Sequence, residues 1–169
     1  MGNDWESLET TADILFSDAW LQVGAEDDPF ASHRPDPVLC AGDGFLIEDT
    51  VVEVDTDTCN YVTLTQPIDA KIGSGDQIDA LLWHSLLYAY TEDDVSAHVA
   101  IYIGEHPLFD QLLPLPQSAS VYDIQVTATF EAPAGTPAYL HVHNHGSNTY
   151  DLGYVRVTPN PSRLLLPAE

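Results

Sequence analysis

The chain has 169 residues, 44% of them hydrophobic with aromatics spread throughout, which is enough for one core without metals or many disulfides and does not read as disorder. Four basic residues (Arg34, Lys71, Arg156, Arg163) face 27 acidic ones, and the net charge of −23 repels nucleic-acid phosphates and anionic lipid headgroups, so neither is expected as a partner. No apolar run approaches the roughly 18 residues that span a bilayer, so membrane insertion is not expected either.

Residues 1–38 form the least regular part. Met1 to Glu6 has no basic region and no apolar stretch, so the start carries no signal peptide, and the chain is either cytoplasmic or begins after a removed leader. Ile14-Leu15-Phe16 and Trp20-Leu21-Gln22-Val23 are predicted as short edge strands, while Asp27-Asp28-Pro29 and Arg34-Pro35-Asp36-Pro37 are turn material. After Cys40 and the Gly42-Asp43-Gly44 turn, Phe45–Val54 alternates imperfectly and Tyr61–Thr65 is rich in β-formers. Gly73-Ser74-Gly75-Asp76 is a tight turn before a long apolar run from Ile78 to Tyr90. The length of that run fits a helix, but its flanking glycines and aromatics favour a strand. Val95–Ile103 alternates, Pro114-Leu115-Pro116 reads as an extended linker, and Tyr122–Phe130 alternates again. A turn at Ala132–Pro137 precedes the closing strands Tyr139–His145 and Tyr154–Val157. About eight strands at roughly 8–12 residue spacing, with no convincing helix, predict an all-β sandwich or barrel over 1–169, with 1–38 packed on it.

Two cysteines, Cys40 and Cys59, stand 19 residues apart beside turn and strand signals and predict one disulfide, two buried thiols being the alternative. The pairing favours an extracytoplasmic location: periplasm, cell surface or medium. The scattered acids, Asp-rich and not blocked into a tail, suit a solvated surface adapted to high salt, and a cation-collecting surface is the functional alternative.

From residue 61 to 157 the features follow an order: a strand into Gln66, Gly75-Asp76 before a long strand, then the alternating Ala97-His98-Val99-Ala100. Phe130-Glu131-Ala132-Pro133, a Leu/Val-alternating penultimate strand and Asp151-Leu152-Gly153-Tyr154-Val155-Arg156-Val157 complete it. This order resembles the galactose-binding-domain-like jelly rolls that serve as carbohydrate-binding modules in secreted polysaccharide-degrading enzymes. The resemblance implies a jelly-roll sandwich of antiparallel strands, sugar-stacking aromatics on a concave sheet and, in many members, a structural calcium. No acidic residue here matches those calcium ligands unmistakably. The histidine row, the cysteine pair and the lack of an attached catalytic domain depart from the pattern.

The sharpest local feature is Tyr139-Leu140-His141-Val142-His143-Asn144-His145. In a strand Leu140 and Val142 share one face, most simply the core, and Tyr139, His141, His143 and His145 share the other, about 6.5–7 Å apart. If the strand ending Ile101-Tyr102-Ile103 lies alongside, as the resemblance implies, His98 and Tyr102 flank the row. Two readings follow. The face binds a glycan or other small polar ligand, with Tyr102, Tyr139, His141, His143, His145 and Trp83 as contacts. Alternatively, His98, His141 and His143 bind zinc or copper, with His145 nearby, as imidazole ligands favour. A purely structural hydrogen-bonded histidine face is the bland third. Trp83 and His84 must point to opposite faces, with a core Trp as the default and a sugar-stacking platform facing the same cleft as the alternative. Asp55-Thr56-Asp57-Thr58-Cys59-Asn60 begins like a calcium loop but lacks the Gly and distant Glu of an EF-hand. Ser85 has a neighbouring histidine but no Gly-x-Ser-x-Gly elbow, no carboxylate pair stands out, and phosphate-cradling glycine loops are missing. The expected function is therefore a non-catalytic extracellular module, most simply carbohydrate-binding. The alternative is a metal-binding protein or a metal-dependent lyase or hydrolase.

Overall fold

The computed structural model describes residues 10–42, 44–90 and 95–164. The N-terminal Met1–Glu6 stretch and Asp43 of the Gly42-Asp43-Gly44 turn lie outside them. Eleven strands are present among the described residues: β1 (Ala12–Asp13), β2 (Leu21–Gln22), β3 (Phe45–Glu48), β4 (Val51–Asp55), β5 (Tyr61–Pro67), β6 (Gln77–His84), β7 (Ser96–Ile103), β8 (His106–Pro114), β9 (Ser120–Thr127), β10 (Pro137–His143) and β11 (Thr149–Thr158). They form two antiparallel sheets, one ordered β3-β4-β11-β6-β9 with β1 also paired to β11, the other β2-β5-β10-β7-β8. From β4 onward the chain crosses between the sheets at nearly every connection, so the two halves of the sandwich are interleaved in sequence. This is the predicted all-β jelly-roll sandwich.

Period-two alternation decides which residues meet between the sheets. Val62, Leu64, Val99, Ile101, Leu140 and Val142 face inward from the second sheet, against Val52, Val54, Ile78, Ala80, Leu82, Leu152, Val155 and Val157 from the first, and all are buried. At about 25 cal/mol per Å² of apolar surface removed from water, this layer is the main source of stability.

Three sequence expectations are corrected, and one strand is added. Phe45–Val54 is two strands rather than one, folded into a hairpin at Asp49-Thr50, where Asp49 takes φ +54°. The strand predicted from Ile78 to Tyr90 stops at His84. His106–Pro114, to which no element was assigned from sequence, is the edge strand β8, its apolar residues interrupted by Pro107 and Asp110. Trp83, expected in the core, lies on the outer face of the first sheet, and His84 points inward instead. The physical reason is room. A register shift at Gly153 leaves a hollow on the outer face, where a Cβ would come within 2.9 Å of the Trp83 ring. Inside, the His84 Nε2 lies 3.2 Å from the Tyr122 hydroxyl and its Nδ1 2.7 Å from the Ser85 carbonyl, so the imidazole is satisfied in the interior.

Beside Trp83 on that outer face stands Asp151, opposite Glu53 in the β11–β4 ladder. Burial, and then the Glu53 carboxylate, push its pKa up to about 6. A carboxyl whose folded pKa lies above its unfolded value contributes stability below the unfolded pKa and loses it as pH rises through the folded one. Asp151→Asn is therefore expected to gain on the wild type by roughly 1.5 kcal/mol between about pH 5 and about pH 8. Denaturant midpoints at the two pH values measure this, and a pH-independent difference would refute it.

The disulfide is formed between Cys40 and Cys59. It fixes the far end of a strap running from residue 23 to residue 40. The strap leaves β2 at the edge of the second sheet, crosses the outer face of β5, β10 and β7, and returns to the start of β5. Val23 donates its amide to Thr63 at the entry, and Leu39 donates to the Asn60 side chain at the exit. Among the described residues no helix is long and apolar enough to cross a membrane.

Candidate metal centre

The outer face of the second sheet is built in three rows. Register places Tyr61, His143 and His98 in one, Thr63, His141 and Ala100 in the next, and Thr65, Tyr139 and Tyr102 in the third. The expected neighbours of the histidine row, His98 and Tyr102, therefore do lie beside it. The face is not open, however. Phe30 of the strap stacks on the His141 ring at 4.3 Å between centroids and meets Tyr102 edge-on at 5.3 Å. Tyr61 and His141 are fully buried as a result, while Tyr102, Tyr139, His98 and His143 are half-buried.

The strap is held by Asp28. Its carboxylate accepts from the Tyr61 hydroxyl at 2.6 Å, the Arg34 guanidinium at 2.8 Å, the Thr63 hydroxyl at 2.9 Å and the Phe30 amide at 3.0 Å. Burial alone pushes the Asp28 pKa up, but these four donors outweigh it and hold the group below the ordinary carboxylate range. Asp28 is thus an ionised carboxylate anchored under the strap.

His33 follows on a single 3-10 turn, Ala31–His33. Its Nε2 lies 3.0 Å from the Nε2 of His141 and 3.0 Å from the Nδ1 of His98. Among the described residues these three imidazoles form a group able to converge on one ion, their ligand atoms all within 4.8 Å. The surrounding hydrogen bonds fix which nitrogens carry protons. The only hydroxyl proton of Thr63 is given to Asp28, so at 2.9 Å from the Nδ1 of His141 the Thr63 oxygen must accept. His141 is then protonated at Nδ1 and turns the lone pair of Nε2 toward His33. On the other side Asp110, an acceptor, lies 2.8 Å from the Nε2 of His98, and with that nitrogen donating, a neutral His98 turns its Nδ1 lone pair toward His33. Burial raises the Asp110 pKa, but hydrogen bonds from Tyr102 and His98 hold it low, so it is ionised. The same bond pushes the Tyr102 hydroxyl up to about 12.

Two lone pairs thus face one nitrogen that has at most one proton to offer. A cation among the three satisfies all of them. In a tetrahedral zinc site, with Zn–N bonds of about 2.0–2.1 Å, ligand nitrogens sit about 3.3–3.4 Å apart; the two pairs that include His33 would open slightly from 3.0 Å, and the His98–His141 pair lies within 4.8 Å. Both sheet ligands already have the outer hydrogen bond, to a carboxylate or a hydroxyl, that orients metal-bound imidazoles. Burial holds His141 neutral, with a pKa lowered to about 2, and it lowers His33 in the same direction; neighbouring imidazoles add to both shifts.

Of the residues singled out in the sequence, His98 and His141 join this centre, while His143, expected to pair with His141 as a ligand, has its ring stacked parallel to that of His33 at 5.6 Å. The third nitrogen comes from His33 instead. Strand β10 ends at His143, so His145 belongs to the following loop, exposed, with its ring 4.8 Å from that of His143. Both rings line a cleft of about 310 Å³, together with Pro35, Leu39, Asp57 and Tyr90. Trp83 is remote, on the other sheet, and does not face this cleft. The Asp55–Asn60 segment closes on itself: Asp55 accepts from the Asp57 amide, and the Thr56 hydroxyl is buried against the Gly146 and Asn148 carbonyls. His33 escaped notice because it sits in a turn-rich segment without periodicity; the sole signal was an aromatic and an imidazole, Phe30 and His33, amid prolines.

No protein-family model matches the sequence, and a comparison with curated proteins returns no match. Solved structures similar in fold include carbohydrate-binding modules. A family 4 module is 14% identical, with 86% of this chain and 89% of that one covered and a TM-score of 0.44. A xylan-binding family 15 module is 9% identical, with 89% and 96% covered and a TM-score of 0.46. A family 6 module of a laminarinase from Zobellia galactanivorans is 14% identical, with 89% and 100% covered and a TM-score of 0.40. The likeness is one of fold.

Proposed function

We propose that this protein is a transition-metal-binding domain whose ion is held by His33, His98 and His141. The observation carrying this reading is the convergence of three imidazole nitrogens, with His141 Nε2 and His98 Nδ1 each 3.0 Å from His33 Nε2. Zinc and copper are the ions that imidazole sets of this kind favour. The net charge of −23 concentrates cations at the surface. The disulfide supports an extracytoplasmic location, where such bonds persist. Metal analysis after zinc or copper loading and desalting tests the reading. One ion per chain is expected in the wild type and none in His33→Ala, whose half-buried ligand leaves the sheet intact; Tyr139→Phe should load as the wild type does. Equal metal in wild type and His33→Ala, or none in either, would overturn it.

A second reading concerns a glycan or other small polar ligand. The strap covers the sheet face expected to bind it, and His141 is 0% exposed, which removes that imidazole from contact with any sugar. The cleft beside it remains suitable, with Tyr90 70% exposed as a stacking surface and Asp57, Asn60 and the two outer histidines as polar groups. Polysaccharide pull-down in the presence of a chelator, compared between wild type and Tyr90→Ala, tests it; retention that does not depend on Tyr90 counts against it.

A further inference from the structure

The geometry points to a second, outer metal-capture site at His143 and His145, through which ions enter and leave the inner centre; this rests on the metal-binding reading above. His145 is exposed, His143 half-buried and His141 fully buried, and His33 bridges the two groups by stacking on His143 at 5.6 Å. The imidazoles therefore form a continuous ladder from solvent to the centre: His145, then His143 at 4.8 Å between rings, then His33. Among the described residues neither outer ring makes a protein hydrogen bond, and the His143 nitrogens are not among the sealed, partnerless polar atoms, so they are open to the cleft. This contrasts with His98 and His141, whose outer nitrogens are both committed. Phe30 stacked on His141 and Asp110 bound to His98 flank the centre on other sides. Asp57 at the mouth adds a negative charge that attracts the incoming cation. The row His141-Val142-His143-Asn144-His145 thus divides its labour: the first imidazole holds the ion, and the other two conduct it.

A conducting group and a holding group have different kinetic signatures. Removing a ligand weakens the equilibrium affinity. Removing a stepping stone on the route slows entry and exit by the same factor, because the same path is traversed both ways, and leaves affinity unchanged. Zinc alone is the probe, mixed with metal-free protein and followed by competition with a coloured chelator; excess chelator then strips the loaded protein. His145→Ala and His143→Ala are expected to bind one zinc with wild-type affinity while loading and unloading slow together, on the order of tenfold, at the lower end of what a charged, ion-focusing cleft provides. His143→Asn serves as a second variant, preserving the size of the half-buried side chain should His143→Ala fold poorly. Wild-type rates in the variants would overturn the capture site while leaving the inner centre standing. So would a fall in affinity without slower loading, which would make His143 a ligand. A wild type that takes up no zinc defeats the metal-binding reading itself.

Discussion

Zinc at about 1,000 times its dissociation constant is expected to stabilise the metal-free protein by about 4 kcal/mol, because an ion held by three residues far apart in sequence binds the native state and not the unfolded chain. For a domain of this size each kcal/mol moves the thermal midpoint by about 2–4 °C, so the transition should rise by roughly 8–16 °C. Differential scanning calorimetry with and without zinc reads the shift, and copper should act in the same direction. His98→Ala is expected to abolish it. That substitution removes a half-buried side chain on the Asp110 flank and leaves the Phe30–His141 stack and the Asp28 anchor in place, so the apo variant should still unfold cooperatively. A midpoint that rises equally in wild type and His98→Ala would mean that zinc acts elsewhere. Given 27 acidic side chains, nonspecific cation binding is the competitor to exclude, and high salt suppresses it while leaving a buried three-imidazole site largely untouched.

Replacing both Cys40 and Cys59 by serine is the second large effect expected. The disulfide closes a loop across 19 positions, and loop-closure entropy assigns such a cross-link about 3 kcal/mol, or roughly 6–12 °C in the midpoint. The consequence reaches the metal centre through the strap. Cys40 anchors its exit end and Asp28 its middle, and His33 lies between them. Without the disulfide the exit end must be ordered when the ion binds, so zinc affinity should fall. It should fall less than on removal of His33, since the Tyr61 and Thr63 hydrogen bonds to Asp28 still seat the strap on the sheet. Calorimetric titration of the double serine variant checks this. Unchanged affinity would show that Asp28 alone positions His33, and a loss as complete as that of His33→Ala would show that it contributes nothing.

Much of this was written locally. Alternation put Leu140 and Val142 in the core and the histidines on the other face, since period two is a property of the strand itself. The cysteine pair and its turn context indicated the disulfide, and the even spacing of strands and turns indicated a sandwich. Where local signals competed, the sequence misled. An indole is the larger apolar group, so Trp83 was assigned inward by default. Only the hollow at Gly153 and the Tyr122 hydroxyl inside make the reverse arrangement favourable. β8 was hidden because an edge strand, exposed along one side, need not keep a clean apolar pattern.

The sequence by itself determined the class of fold, the inward and outward faces of β10, the cross-link and a net charge of −23, because each depends on composition or on residues close together in the chain. Only the tertiary structure decided the site. His33 lies 65 residues from His98 and 108 from His141, in a segment with no periodicity of its own. What brings it over the sheet is a buried carboxylate, Asp28, whose partners Tyr61 and Thr63 stand on β5, more than 30 positions further along the chain. No local pattern encodes a convergence of that range. It arises from the need to satisfy a buried charge, and in satisfying it the strap sets three imidazoles around a single point.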